Sequence, residues 1–290
     1  MSPNTAWAIY LKMSKNIILN SLKESFSLIW KNKSLFVLLF ILQIIFFAFL
    51  ININLKYQTK ILENSVAIAD YISKLKLDDA SIASAILEKK NIAGDDPSSV
   101  SRNYSEIVRS FNLYIFFSFI LLIIFISTSW AITNKLIHKG SFRQAIKNLY
   151  QIFILSFFYL GLIFLFFYSL FNISIKDLAG DSSKIFAKYT TFLIFSAILI
   201  YFMYVSLSLS RKTELKNIVQ KTLEIGIKKV HYILAIYFIN IFLFIILAFL
   251  FYYLIEKNFL VLLLSIMLMI LSFVFGRIFM VNVIDKLERN

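Results

Sequence analysis

The residue types that usually do chemistry are scarce in this chain. There is no cysteine, and His138 and His231 are the only histidines. Disulfides, thiolate metal sites and Cys nucleophiles are thereby excluded, and two imidazoles this far apart in sequence do not compose a metal centre. Carboxylates pair at Asp78–Asp79 and at Asp95–Asp96. Neither pair carries the alternating acidic ligands and distant glutamate of a calcium loop, so both read as helix-capping and turn residues. No HExxH zinc motif and no glycine-rich phosphate loop occurs. These absences lead us to expect no cofactor, no metal and no enzymatic activity.

What remains is a set of cations and a few polar groups embedded among apolar residues. Arg277 interrupts an apolar run that begins eighteen residues earlier at Phe259. An arginine at the centre of a membrane helix costs about 2.5–3.5 kcal/mol, and much less near an end, where it snorkels to the interface. We expect a snorkelling arginine near the far interface; the other reading is a buried cation facing the bundle. Gln43, Ser127–Thr128–Ser129, Tyr204, Ser206, Ser208, Ser210 and Asn240 complete the polar content of the runs. Such groups ordinarily hydrogen-bond neighbouring helices. Alternatively the serine-bearing clusters of the second and fourth runs, which lie at one depth, line a polar cavity on the cytoplasmic side.

The elements that must hold these groups are long apolar helices. Hydrophobic residues make up 60% of the 290, with 32 phenylalanines, and mean hydropathy is +0.79. Soluble domains sit near 45–50% apolar, so lipid must serve as the solvent for much of this chain. Six stretches reach the roughly 20 residues that a bilayer crossing demands: 34–53, 111–132, 152–171, 189–209, 232–255 and 259–283. The third, IFILSFFYLGLIFLFFYSLF, holds fifteen Leu, Ile and Phe residues, worth about 5–9 kcal/mol of insertion free energy. The first long run exceeds a signal-peptide core and lacks a small-residue cleavage site, so it reads as a retained anchor.

Charge orients the six spans. The face that collects 1–33, 133–151, 210–231 and the end from Arg277 carries a net +13, which leaves +1 of the total +14 on the other face. Lys and Arg concentrate in loops that stay inside. We therefore expect a multi-pass cell-membrane protein with both termini cytoplasmic: an N-terminal amphipathic segment 1–33, a six-span domain 34–284 and a tail 285–290. The insertion 54–110, on the far side, reads as a small helical cap, with the first helix or a second one continuing above the membrane past Ile61 and Tyr71 and another helix from about Ser101 leading into the second span.

A basic amphipathic segment precedes each pair of spans: SLKESFSLIWKNK, SFRQAIKNLYQ and NIVQKTLEIGIKK. Leu22, Phe26 and Trp30 are four apart, as are Phe142, Ile146 and Tyr150, and Val219, Leu223 and Ile227. That spacing places each trio on one helix face, so each segment can bury an apolar stripe while its lysines face outward. We read an all-α integral membrane protein: a six-helix transmembrane bundle built from three repeats of a basic in-plane helix plus a transmembrane hairpin. Lys31, Lys33, Arg143, Lys147, Arg211, Lys212, Lys228, Lys229 and Arg277 are the candidate contacts for lipid headgroups or a protein partner. Each basic residue near an anionic surface contributes about 1 kcal/mol of attraction. Nucleic acid is not expected, since the lysines are spread over separate interfacial helices without a recognition motif.

The stretch SLKESFSLIWKNKSLFVLLF, a basic amphipathic helix with Trp and Lys-Asn-Lys running into a long span, resembles uncharacterised six-span prokaryotic membrane proteins. One such group is the membrane domain associated with glycerophosphodiester phosphodiesterases. The resemblance covers the repeat plan of the whole chain. It implies no activity, because the phosphodiesterase domain with its catalytic Glu and His residues is absent here. The reading is a non-enzymatic protein that interacts with lipids, anionic ones included, or supports other envelope components through a membrane or cytoplasmic protein partner. The alternative is the membrane subunit of a transporter, docking a cytoplasmic ATPase through the basic helices at 141–151 and 214–229.

Overall fold

A chain with prolines only at positions 3 and 97 and six glycines has little that can stop a helix once nucleated. The computed structural model describes residues 3–74, 98–138, 142–171, 182–211, 213–254 and 259–289. Among these it contains eight helices: α1 (Pro3–Lys31), α2 (Lys33–Lys74), α3 (Ser98–Ile137), α4 (Phe142–Phe171), α5 (Ser182–Leu209), α6 (Leu215–Lys228), α7 (Val230–Leu254) and α8 (Phe259–Arg289). Six of them, α2 to α5 with α7 and α8, are long and apolar enough to cross a membrane. This is a multi-pass helical membrane protein. The paired carboxylates Asp78–Asp79 and Asp95–Asp96, Lys212 and the middle of the expected outer cap lie outside the described residues.

Helix breaks fall where local hydrogen bonding diverts the backbone. Between α1 and α2, the Asn32 side chain donates to the Leu28 carbonyl at 3.0 Å and to the Leu136 carbonyl of α3 at 3.4 Å. Between α6 and α7 the break is at Lys229, whose φ of −114° and ψ of 22° leave the helical region although its N–H still bonds the Ile225 carbonyl at 2.9 Å. Segments one and three are therefore separate helices ahead of their spans. The second segment differs: 142–151 is continuous with its span in the single helix α4. No glycine or proline occurs in α4 before Gly161 to interrupt it.

Two compact units divide the chain, one formed by 1–45 with 123–290 and the other by 46–122. In the first, α8 packs against α1, α5 and α7, while α4 pairs with α5 and α6 packs on both α5 and α7. Leu39, Leu136, Val274 and Ile278 form a buried cluster, flanked by Leu28, Ile29, Phe36 and Ile132. Large hydrophobic side chains nevertheless point away from the protein along the spans; Phe249 is 73% exposed and Leu165 70%. Apolar surface on this scale is stable only against lipid. In the second unit the C-terminal part of α2 meets the first part of α3, where the buried Tyr57 ring stacks on Phe117 with centroids 6.0 Å apart.

The amphipathic segments present their faces in an order opposite to that of a helix on a soluble core. Phe26, Trp30, Ile146, Tyr150, Val219, Leu223 and Ile227 are all exposed. Small polar residues turn inward instead. Ser21 and Ser25 of α1 are fully buried against α8, where Asn282 Nδ2 donates to the Ser21 carbonyl at 2.9 Å and to Ser25 Oγ at 3.3 Å. Helix α6 shows three faces at 100° per residue: Ile218, Thr222 and Ile225 against the bundle, the Val219 stripe outward, and Asn217, Gln220, Lys221, Glu224 and Lys228 on the third. A helix with one protein face, one apolar face and one charged face belongs at a membrane interface.

Candidate functional site

The basic ends of the helices are joined by a polar network. Ser210, fully buried, donates to Asn148 Oδ1 of α4 at 3.0 Å, and Asn134 of α3 donates to Ser210 Oγ at 3.3 Å. Ser206 couples Tyr159 of α4 at 2.9 Å to Thr222 of α6 at 3.0 Å. Arg211, just beyond α5, caps the end of α3 by donating to the carbonyls of Asn134 and His138. Burial pushes the Arg211 guanidinium below its ordinary value, opposed by the charge of Asp285. Asp285 itself holds His138 at 3.3 Å and Arg289 at 2.7 Å. Lys286 with Glu24 and Lys221 with Glu288, both at 2.8 Å, fasten α8 to α1 and α6. Ser206 and Ser210 thus bond neighbouring helices as their sequence pattern implies, whereas Ser208 and Thr128 bond carbonyls of their own turns.

Arg277 belongs to a different place. The expectation of a snorkelling arginine is corrected here: its side chain is half-buried and turned into the bundle. Its Nη2 donates to Gln43 Oε1 at 3.1 Å, its guanidinium lies over the Phe125 ring at 5.6 Å, and Nη1 is buried without a hydrogen-bond partner. The neutral amide of Gln43 stabilises the charge far less than a carboxylate would. The registers of the neighbours indicate depth. Gln43 is ten residues past Lys33, about 15 Å along α2, or half a hydrocarbon thickness.

Arg277 forms part of the wall of a cavity of about 350 Å³, together with Gln43, Phe125, Ser129, Trp130, Tyr204, Tyr237, Asn240 and Gly276. Aromatic rings from three helices line one side in sequence: Trp130 and Tyr204 have centroids 5.6 Å apart, Tyr204 and Tyr237 6.0 Å. The Tyr237 hydroxyl and Asn240 Oδ1 are also buried without partners. Asn240 approaches α8 through the bare backbone of Gly276, where a Cβ would meet Asn240 Oδ1 at 3.0 Å. Ile241 and Phe273, which also line it, are 52% and 43% exposed, so the lining reaches the apolar surface of the protein. A volume in the range of small-molecule sites, a cation without acidic partner and an exposed apolar lining suit an acidic headgroup carried on a hydrocarbon tail.

The remaining expected residues divide into two groups. Arg143, Lys147 and Arg211 converge on a second, larger cavity at the basic end. Lys31, Lys33, Lys228 and Lys229 line neither cavity: Lys33 Nζ lies 4.0 Å over the Trp30 ring and Lys228 pairs with Glu224 at 2.9 Å. Trp130, Tyr204 and Tyr237 escaped the sequence reading as a group, because aromatic residues are too frequent here for three of them to form a signal. No group of three or more His, Asp or Glu side chains suited to a metal gathers among the described residues. No family of known proteins, no curated protein and no solved structure matches the chain.

Proposed function

We propose that this is a non-enzymatic, lipid-interacting membrane protein that takes an acidic amphiphile between its spans. The observation that carries the reading is Arg277, a cation partnered by a neutral amide and an aromatic ring but by no carboxylate, on the wall of a cavity whose lining includes the exposed Ile241 and Phe273. The acidic headgroup neutralises Arg277 and accepts from the Tyr237 hydroxyl, while the tail leaves past Ile241 and Phe273. A charge-assisted hydrogen bond in so dry a setting is roughly twice as strong as a neutral one. The outward apolar stripes of α1 and α6 support the same reading, since they lay both helices along the lipid.

Trp130 makes the site testable. In a Trp7→Phe/Trp30→Phe background it is the sole tryptophan, so a brominated acidic amphiphile bound in the cavity quenches its fluorescence. We expect saturable quenching by brominated fatty acid or brominated lysophosphatidic acid, little by brominated lysophosphatidylcholine, and loss on Arg277→Gln. Equal quenching by the zwitterionic probe, or quenching unchanged by Arg277→Gln, overturns the proposal. Stoichiometric recovery of a cytoplasmic ATPase with the protein would replace it by a transporter subunit.

We propose further that the basic end is cytoplasmic and that the chain is three repeats of a basic helix and a hairpin, the second copy having lost its break. The likeness to the membrane domain associated with glycerophosphodiester phosphodiesterases stands as part of that proposal. Single cysteines at Ser101 and Lys216, in a chain that has none of its own, test the orientation. An impermeant maleimide applied to intact cells reacts at position 101 only; labelling of both refutes it.

A further inference from the structure

The second cavity shares no lining residue with the Arg277 site and is more strongly charged, with three cations and a carboxylate in place of a single arginine among aromatic rings. It has a volume of about 640 Å³ and lies between the first turns of α4 and the connection from α5 to α6. Arg143 and Lys147, four apart on one face of α4, project from one side, and Arg211 closes the other. Asn148 and Gln151, both buried, present amides from the next turns of α4. Thr213 is 5% exposed, and its hydroxyl is buried with no hydrogen-bond partner although the residue lines the cavity. A single carboxylate, Glu214, stands among the three cations.

We propose that this cavity binds a phosphate ester. Three features specify the ligand class. The cations exceed the carboxylate by two, so the cavity favours a group with a double negative charge. Arg211 is held rigidly by its bonds to the Asn134 and His138 carbonyls, and a fixed guanidinium suits the tetrahedral oxygens of phosphate. The Thr213 hydroxyl, which donates to nothing in the protein, supplies a directional donor inside the basic ring. The cavity is several times the volume of a phosphate group, leaving space for the alcohol that carries it. That alcohol is either a soluble metabolite or the glycerol of a lipid whose tails run beside Ile146 and Tyr150, both exposed on the same helix.

The experiment uses the full chain in an uncharged maltoside detergent and calorimetric titration with two probes. Glycerol 3-phosphate represents the soluble source, and dihexanoyl phosphatidic acid, below its micelle concentration, the lipid source. Saturable binding of either probe, weakened about tenfold or more by Arg143→Gln/Lys147→Gln, supports the proposal and identifies the source. Thr213→Val weakens it severalfold. Lys56→Gln/Lys60→Gln removes the same charge outside the cavity and leaves the affinity unchanged. Circular dichroism and elution volume establish that each variant remains folded. The proposal is overturned if neither probe binds, if the double variant at 143 and 147 binds as tightly as wild type, or if the control pair weakens binding equally.

Discussion

Arg277 and Gln43, 234 residues apart in the chain, meet side chain to side chain at 3.1 Å inside the bundle. The pair joins α2 to α8, and it is asymmetric: the glutamine can do without the arginine far more easily than the reverse. Gln43→Leu leaves a buried guanidinium with one bond fewer and is expected to cost about 1–3 kcal/mol. Arg277→Leu removes the charge altogether and is expected to be neutral or stabilising, since uncompensated buried ions carry a desolvation penalty. Thermal unfolding in detergent ranks the two variants; a more severe loss for Arg277→Leu contradicts the account.

A methyl group at position 276 probes a close approach of α7 to α8. Gly276→Ala places a Cβ 3.0–3.2 Å from three atoms of the Asn240 amide, a degree of overpacking that typically costs about 1–3 kcal/mol. Shortening the opposing side chain should relieve it. The double variant Gly276→Ala/Asn240→Ala is thus expected to be more stable than Gly276→Ala alone. Additive losses on thermal unfolding would show that the two positions do not meet.

Helix α1 is held to α8 by small polar groups, and its fastening can be cut at one residue. Asn282→Leu removes both bonds to Ser21 and Ser25 and inserts a branched side chain where hydroxyls fit. Bonds of this kind contribute about 0.6–2 kcal/mol in membrane proteins. The expected outcome is faster tryptic cleavage after Lys23 or Lys31 with the spans intact. An unaltered digestion rate would mean that the Lys286–Glu24 pair alone suffices.

Glu224 is held below its ordinary carboxylate value, first by its hydrogen bond from Lys228 and then by the charges of Lys228 and Lys221. Whatever support the pair gives α6 is therefore present above the usual carboxylate range and vanishes only as pH falls through the depressed value. Carbon-13 NMR of labelled glutamate should show a midpoint below that of an unpaired glutamate. Lys228→Gln returns it to the ordinary range; a midpoint identical in both proteins removes the ion pair from consideration.

The existence of the spans was legible in the sequence because each apolar run is long enough to admit one reading. Their ends were less so. The helix expected from about Ser101 leads into the second span as α3, Ser98–Ile137, and it runs on past 132, since polar residues continue a helix at no cost once it leaves the hydrocarbon. The suggestion that helix continues above the first span holds: α2 reaches Lys74. Phe26, Trp30 and Val219 fell on the expected helix faces, but periodicity does not state which face turns inward. In water the apolar stripe is the inner one; beside lipid, close contact between helices favours serine and glycine, and the stripe turns out. The Arg277 cavity was invisible for a related reason. Gln43, Trp130, Tyr204 and Tyr237 come from separate helices, and only relative register brings them together.

The three-sided build of α6 carries a mechanical implication. Rolling it by one residue's arc would sink lysines into acyl chains and lift valine into water, so the helix is pinned about its own axis. Its backbone is also clasped from below, where the Tyr201 hydroxyl donates to the Gly226 carbonyl at 2.6 Å. On the proposed placement of α6 at the bilayer surface, fixed rotation and height make it a waterline marked on the hull: a bilayer of mismatched thickness must bend to meet it.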